Sequence, residues 1–180
     1  MNKKVLCFVI LSLNVMALQA YAKASDEVEN YTCSEKEDHR IYCVYQDTNK
    51  PVSGKIKRHN GDNYASIENF SKGYRDGLNS FFDTDGNIKE RSYYKQGVKN
   101  GIEKIYYSNR SIRSTANYKN GLLHGNADIY TEDGKLLGRM RYSYGKLARG
   151  YCRKNKEKED FSPEFIKNHN ENELVTCGAQ

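Results

Sequence analysis

From Phe70 onward, apolar and polar residues alternate in short runs broken by glycine, asparagine and aspartate, and the whole pattern recurs every 24 residues. Three copies align: FSKGYRDGLNSFFDTDGNIKERSY from Phe70, YKQGVKNGIEKIYYSNRSIRSTAN from Tyr94 and YKNGLLHGNADIYTEDGKLLGRMR from Tyr118, with a fourth opening at Tyr142. Alternation with a period of two is the signature of a β-strand. In the stretch leading into each new copy, one face is expected to carry Ile88, Glu90, Ser92 and Tyr94, then Ile112, Ser114, Ala116 and Tyr118, then Leu136, Gly138, Met140 and Tyr142. The opposite strand carries adjacent apolar residues, Phe81-Phe82, Ile105-Tyr106 and Ile129-Tyr130. Strand neighbours point to opposite faces, so each face of the sheet receives a ladder.

Turn residues recur with the same period. A glycine holds the fourth position of every copy (Gly73, Gly97, Gly121, Gly145), and a second lies four residues later (Gly77, Gly101, Gly125); the fourth copy has Arg149 there, with Gly150 one residue late. Asp85-Gly86, Asn109-Arg110 and Asp133-Gly134 follow at the sixteenth and seventeenth positions. Such residues tolerate the positive φ of tight hairpin turns. Each copy therefore holds two turns and two strands, and successive copies predict an antiparallel meander. Frequent glycine and the lack of a 3.6-residue period exclude helix here. Residues Asn49 to Asn69 read as a degenerate first copy, matching at Gly54 and Gly61. Repeated hairpins bury little alone and need capped ends. The predicted fold is all-β, an elongated meander of hairpins over residues 49–150, between an N-terminal cap at 23–48 and a C-terminal cap at 151–180.

The opening aromatic, the Tyr-x-x-Gly step, the second glycine and the aromatic pair resemble the bacterial variant of the MORN repeat (membrane occupation and recognition nexus). YKNGLLHG, from Tyr118 to Gly125, is close to that family's Tyr-x-x-Gly-x-x-x-Gly phrase, and the resemblance covers about residues 49–150. The antitoxin-like label carried by many such proteins implies an antitoxin or protein-binding role and identifies no catalytic motif.

The N-terminus predicts export. Lys3 and Lys4 precede an apolar run from Val5 to Leu18, and Ala20-Tyr21-Ala22 gives the small-x-small pattern of a cleavage site, so residues 1–22 read as a removable signal. The run is shorter than the roughly 20 residues that span a bilayer. Its removal takes two lysines and no acidic residue, lowering the formal charge from +6 to +4. Cys33, Cys43, Cys152 and Cys177 then remain, and an even number of cysteines in a periplasmic or secreted protein favours disulfides. Order along the chain favours Cys33 with Cys43 and Cys152 with Cys177, one bridge in each cap. A metal site using Cys33, His39, Cys43 and His59 matches no zinc spacing, and no metal or cofactor is expected. Beyond the repeats, Cys152 to Asp160 reads as a charged connector, Ser162-Pro163-Glu164 as the start of a short helix that Phe165 and Ile166 pack down, and Glu173 to Cys177 as a returning strand.

No catalytic motif is present: there is no nucleophile elbow and no phosphate loop. His124 shares its repeat position with Asp76 and Asn100, which makes it a turn residue rather than a general base. The expected activity is binding, without enzymatic chemistry and without nucleic acid as partner. Phe82, Tyr106 and Tyr130 recur where turn geometry requires no aromatic, so that ladder is the candidate face for a protein partner. The C-terminal basic residues, including Arg139, Arg141 and Arg149, supply the alternative, an anionic lipid or polysaccharide of the cell envelope.

Overall fold

The computed structural model describes residues 30–38, 40–154, 156–169 and 172–177; the export signal read over residues 1–22 lies outside them, as does His39. The strands in chain order are β1 (Tyr31–Glu35), β2 (Ile41–Tyr45), β3 (Gly54–Asn60), β4 (Asn63–Ser71), β5 (Tyr74–Arg75), β6 (Gly77–Phe82), β7 (Ile88–Lys95), β8 (Val98–Tyr106), β9 (Ile112–Lys119), β10 (Leu122–Tyr130), β11 (Leu136–Ser143), β12 (Lys146–Lys154) and β13 (Glu157–Asp160), followed by helix α1 (Pro163–Asn168). β1 and β2 form a separate hairpin, and the rest form one antiparallel sheet in chain order from β3 to β13. β5 and β6 are two pieces of one strand interrupted at Asp76, so the sheet is a meander of hairpins ten strand positions wide.

The two recurrent glycines of each copy do different jobs. At the fourth position, Gly73, Gly97, Gly121 and Gly145 have φ of 81° to 85°, and the residues before them, Lys72, Gln96, Asn120 and Tyr144, also have positive φ, of 48° to 53°. Two successive left-handed residues make the hairpin turn whose twist matches the strands it joins. Each of these glycines donates its N–H to a backbone carbonyl of the preceding unit: Gly73 to Val52 (2.8 Å), Gly97 to Arg75 (2.9 Å), Gly121 to Lys99 (2.8 Å) and Gly145 to Leu123 (2.8 Å). The second glycines, at φ of 99° to 124°, lie where the ladder skips, as between Leu123 and Ala127. The seventh position adds a side-chain stitch. Asp76 Oδ2, Asn100 Oδ1 and His124 Nδ1 accept from the backbone N–H of Gln96, Asn120 and Tyr144 at 3.1, 3.4 and 3.3 Å.

Both caps sit on one face of the sheet. At the N-terminal end Cys43, joined to Cys33, packs with Val52, Ile56 and Phe70, and Tyr31 meets Phe70 edge-on at 5.6 Å. At the other end Ala116, Leu123, Ala127, Met140, Tyr142 and Leu147 are covered by Phe161, Phe165, Ile166, Leu174, Val175 and Cys177, the last joined to Cys152. Asn172 seats this tail as a strand would, its side chain accepting from Leu123 N–H at 2.7 Å and donating to the Gly121 carbonyl at 3.0 Å. The fold class, the helix capped by Ser162 and both disulfides are as the sequence predicts.

Three expectations are corrected. The ladder slips by one residue beside each outer turn, placing Phe82 opposite Ile88, Tyr106 opposite Ile112 and Tyr130 opposite Leu136. Ile88, Ile112 and Leu136 thereby join the aromatic ladder instead of the face of Glu90, Ser114 and Gly138, and it is Leu137 that packs on the core. Residues 152–160 are not a connector: β12 runs on to Lys154 and β13 pairs with it, invisible in the hydrophobic pattern because all four residues of this edge strand are exposed. Residues 173–177 form no strand, since the Val175 N–H is satisfied by the Tyr142 hydroxyl at 2.9 Å.

Glycine demand differs between copies. A Cβ at Gly121 would meet Val98 at an ordinary 3.6 Å, whereas at Gly73 it would overlap the Tyr42 ring of the N-terminal cap. Gly121→Ala is expected to cost about 1–2 kcal/mol from its positive φ alone, and Gly73→Ala at least about 1 kcal/mol more from displacing Tyr42, as chemical denaturation would measure. His124→Asn should leave stability within about 0.5 kcal/mol, because Asn100 already performs this role, while His124→Leu should lose about 1 kcal/mol.

Candidate functional site

With both caps on one face, the other face of β3 to β12 is left open by the described residues. Cross-strand pairing traces one continuous row over it: Lys57, Ile67, Ser80, Arg91, Lys104, Thr115, Asp128, Arg139, Tyr151 and Asp160. At about 4.8 Å per strand the row spans about 43 Å. A second row pairs Leu78 with Tyr93, Ile102 with Asn117, and Asn126 with Arg141, which is itself opposite Arg149. Along the strand ends lies the ladder of Phe82, Tyr106 and Tyr130, all half-buried. The Tyr130 hydroxyl donates to Asp128 at 3.3 Å, which places it on the open face, while its neighbour Ile129 belongs to the covered core. Tyr93, on the same face and 45% exposed, is a further aromatic that the sequence pattern did not single out, because its repeat position is Asn117 and Arg141 in the next two copies.

The three arginines named from sequence share this face but differ in availability. Arg139 grips Asp128 through two hydrogen bonds, 2.6 Å from Nε and 2.8 Å from Nη2, and the pairing raises the guanidinium pKa further. Arg141 and Arg149 are exposed, and neither has an ion-pair partner among the described residues. Lys57, Arg91 and Lys104 are likewise without one. The open face therefore carries a surplus of positive charge.

Three glutamates, Glu68, Glu90 and Glu103, lie on the covered face. Glu68, fully buried, receives Arg58 Nη2 and Arg75 Nε, both at 2.7 Å, and the Ser66 hydroxyl at 2.8 Å. Burial pushes its pKa up, but Arg75, the Ser66 hydrogen bond and Arg58 together prevail and hold it below the usual carboxylate range. Beside it, β6 to β8 contribute no residue to either apolar cluster; in the same cross-strand row stand Asn79, Ser92 and Glu103, all buried. Lys99 bridges Glu103 and Glu90, with Glu90 at 3.3 Å, and Ser92 donates to Glu90 at 2.6 Å. Against the burial that would raise it, the Ser92 hydrogen bond and the Lys99 charge keep Glu90 low. Burial, then the Glu103 charge, pushes the Tyr118 hydroxyl up to about 12. Every charged member of this network has an opposite charge beside it, so it acts as a polar core. Cys33 and Cys43 are consumed in a disulfide and hold no ion, and no group of three metal-ligating side chains comes together among the described residues.

Comparison with known proteins identifies the repeat unit. Residues 75–96 and 99–120 each match the family model described as MORN repeat variant. No curated protein matches the chain. Among solved structures it is similar to the crystal structure of TarM, at 14% identity and a TM-score of 0.25 over 79% of this chain and 23% of that one. A mutant S. aureus TarM in complex with fondaparinux, alpha-GlcNAc-glycerol and UDP gives the same identity and TM-score over 78% of this chain. The chain spans 23% of the length of these structures.

The Glu68 cluster sets an acid limit on stability. Its folded-state pKa lies below the unfolded value of about 4.3, so its contribution is complete above that pH and is lost as pH falls through the folded value. Glu68→Gln should cost about 1–3 kcal/mol at pH 7 and flatten the fall of Tm between pH 5 and the acid limit, followed by circular dichroism.

Proposed function

We propose that this chain, a protein built on repeats of the MORN variant, is an exported scaffold that binds a partner protein across the open face of its sheet. The observation that carries the reading is the placement of both caps on the same face. Each strand buries one side beneath a cap or a polar network and leaves the other side, with its aromatic ladder and surplus cations, free to meet a partner. Rigid aromatic side chains with few torsions suit such contacts, and a positive rim speeds encounter with an acidic surface. The antitoxin or immunity role that the family label implies would be this same binding with a toxin as partner. The two disulfides are compatible with a periplasmic or extracellular setting, to which the signal read at residues 1–22 would direct the chain.

A second reading is favoured by the unpaired Arg91, Lys104, Arg141 and Arg149: attachment to an anionic lipid or polysaccharide of the envelope. Salt separates the two, because charge-driven attachment weakens steeply with ionic strength and aromatic burial does not.

The test is affinity capture from envelope extract by the disulfide-bonded protein. Changing Phe82, Tyr106 and Tyr130 together to serine should abolish capture of a protein partner while the β-sheet spectrum is retained. Changing Arg139, Arg141 and Arg149 to glutamine should cost at most about tenfold in affinity, mainly at low salt. Decisive arginines with silent aromatics would replace this reading by the envelope-surface one.

A further inference from the structure

We infer that Arg141 and Arg149 form a binding site for a phosphate-type oxyanion. The two residues face each other as direct partners on β11 and β12, both exposed on the open face. Like charges in this position repel, and each usually finds relief in a carboxylate nearby. Here the neighbouring carboxylates are already engaged: Asp128 by Arg139 at 2.6 and 2.8 Å, and Asp160 by Lys158 at 2.7 Å. Arg141's other cross-strand partner is Asn126, which adds no charge. Two positive charges thus remain uncompensated side by side.

The surroundings form a receptacle. A groove of about 290 Å³ is lined by Arg141, Arg149, Asn126 and Tyr151 together with the ion-paired Arg139, Lys158 and Asp160. Lys158 is held over the Tyr151 ring, 4.8 Å from its centre, and is paired with Asp160 as Arg139 is with Asp128, so the unbalanced positive charge of the groove is that of Arg141 and Arg149. The chemistry of the ligand follows from the donors. A guanidinium offers a planar fork of donors that one carboxylate can fill with its two oxygens, so a lone carboxylate matches one arginine and one charge. A phosphate presents at least three acceptor oxygens and nearly two negative charges, enough for both forks at once. The other facing cations, Arg91 and Lys104, pair a fork with a point charge, and Lys104 lacks the bidentate geometry. This site stands apart from the aromatic ladder and does not rest on the protein-binding reading.

The experiment follows the thermal unfolding of the disulfide-bonded protein and the amide NMR shifts of β11 and β12 while inorganic phosphate is titrated at constant ionic strength, with chloride as balance. The wild type should gain Tm with phosphate and not with chloride, with saturating shifts confined to residues around 139–151. Arg141→Gln and Arg149→Gln should each raise Tm without phosphate by about 1–4 °C, because the repulsion is relieved, and should weaken the phosphate response at least fivefold. Lys104→Gln should leave that response unchanged. A parallel titration with glycerol 3-phosphate separates two sources: a response equal to that of free phosphate shows an anion carried on a larger molecule, and a response to the free ion alone shows a small-anion site. Absence of a phosphate-specific response in the wild type, an equal loss in Lys104→Gln, or a lower Tm in phosphate-free Arg149→Gln would each overturn the proposal.

Discussion

The architecture hangs on one backbone hydrogen bond made four times, from the N–H of a turn glycine to a carbonyl of the preceding unit. It explains why the two glycines of a copy are spaced as they are. The left-handed turn at Gly97 or Gly121 presents an N–H that its own hairpin does not use, and the skip in the ladder beside Gly77, Gly101 or Gly125 leaves a nearby carbonyl without a strand partner. One glycine supplies the donor and the other frees the acceptor. The fourth copy has Arg149 at the second position, and β12 is met by the edge strand β13. At the other end the degenerate first copy offers the Val52 carbonyl to Gly73, and the N-terminal cap takes the Gly73 carbonyl with the Cys43 N–H at 2.8 Å.

The two faces change character in opposite directions along the sheet. On the covered side one cross-strand row runs from Asn79, Ser92 and Glu103 to Ala116, Ala127 and Met140, polar first and apolar afterwards. On the open side the corresponding row runs from Leu78, Tyr93 and Ile102 to Asn126, Arg141 and Arg149. Charge is sorted by the same arrangement. Glu68, Glu90 and Glu103 are neutralised within the covered face by Arg58, Arg75 and Lys99, and so the excess of basic residues appears on the side that no described residue covers.

Much of this was legible in the sequence because it depends on local rules. The period, the hairpin turns, the meander and the capped ends follow from where glycine and aromatic residues recur, and the cysteine pairing from their order. What escaped were features set by partners remote in sequence. Asp76, Asn100 and His124 look like variation at a loose position, yet each caps the same backbone N–H of the next copy, and only the shared geometry reveals the shared role. The slip beside each outer turn moves Ile88, Ile112 and Leu136 across the sheet, which a strict period of two cannot show. β13 carries no apolar residue to betray it. Of the proposed binding residues, the ladder and the arginines fall on one face, but only the fold distinguishes Arg139, held by Asp128, from Arg141 and Arg149.

Because every stitching bond runs from a later glycine back to an earlier carbonyl, the sheet has a direction of assembly. Each new hairpin finds the acceptor for its turn glycine on a unit that precedes it in the chain. The bridge between Cys33 and Cys43, ten residues apart, can lock the starting end early, while that between Cys152 and Cys177 closes only when the last stretch of chain has emerged. Stitching bonds that reach back by slightly less than one repeat keep the search short at each step. Such a chain can fold in the order in which it is delivered, as a zipper whose slider moves one way and whose final tooth is a disulfide.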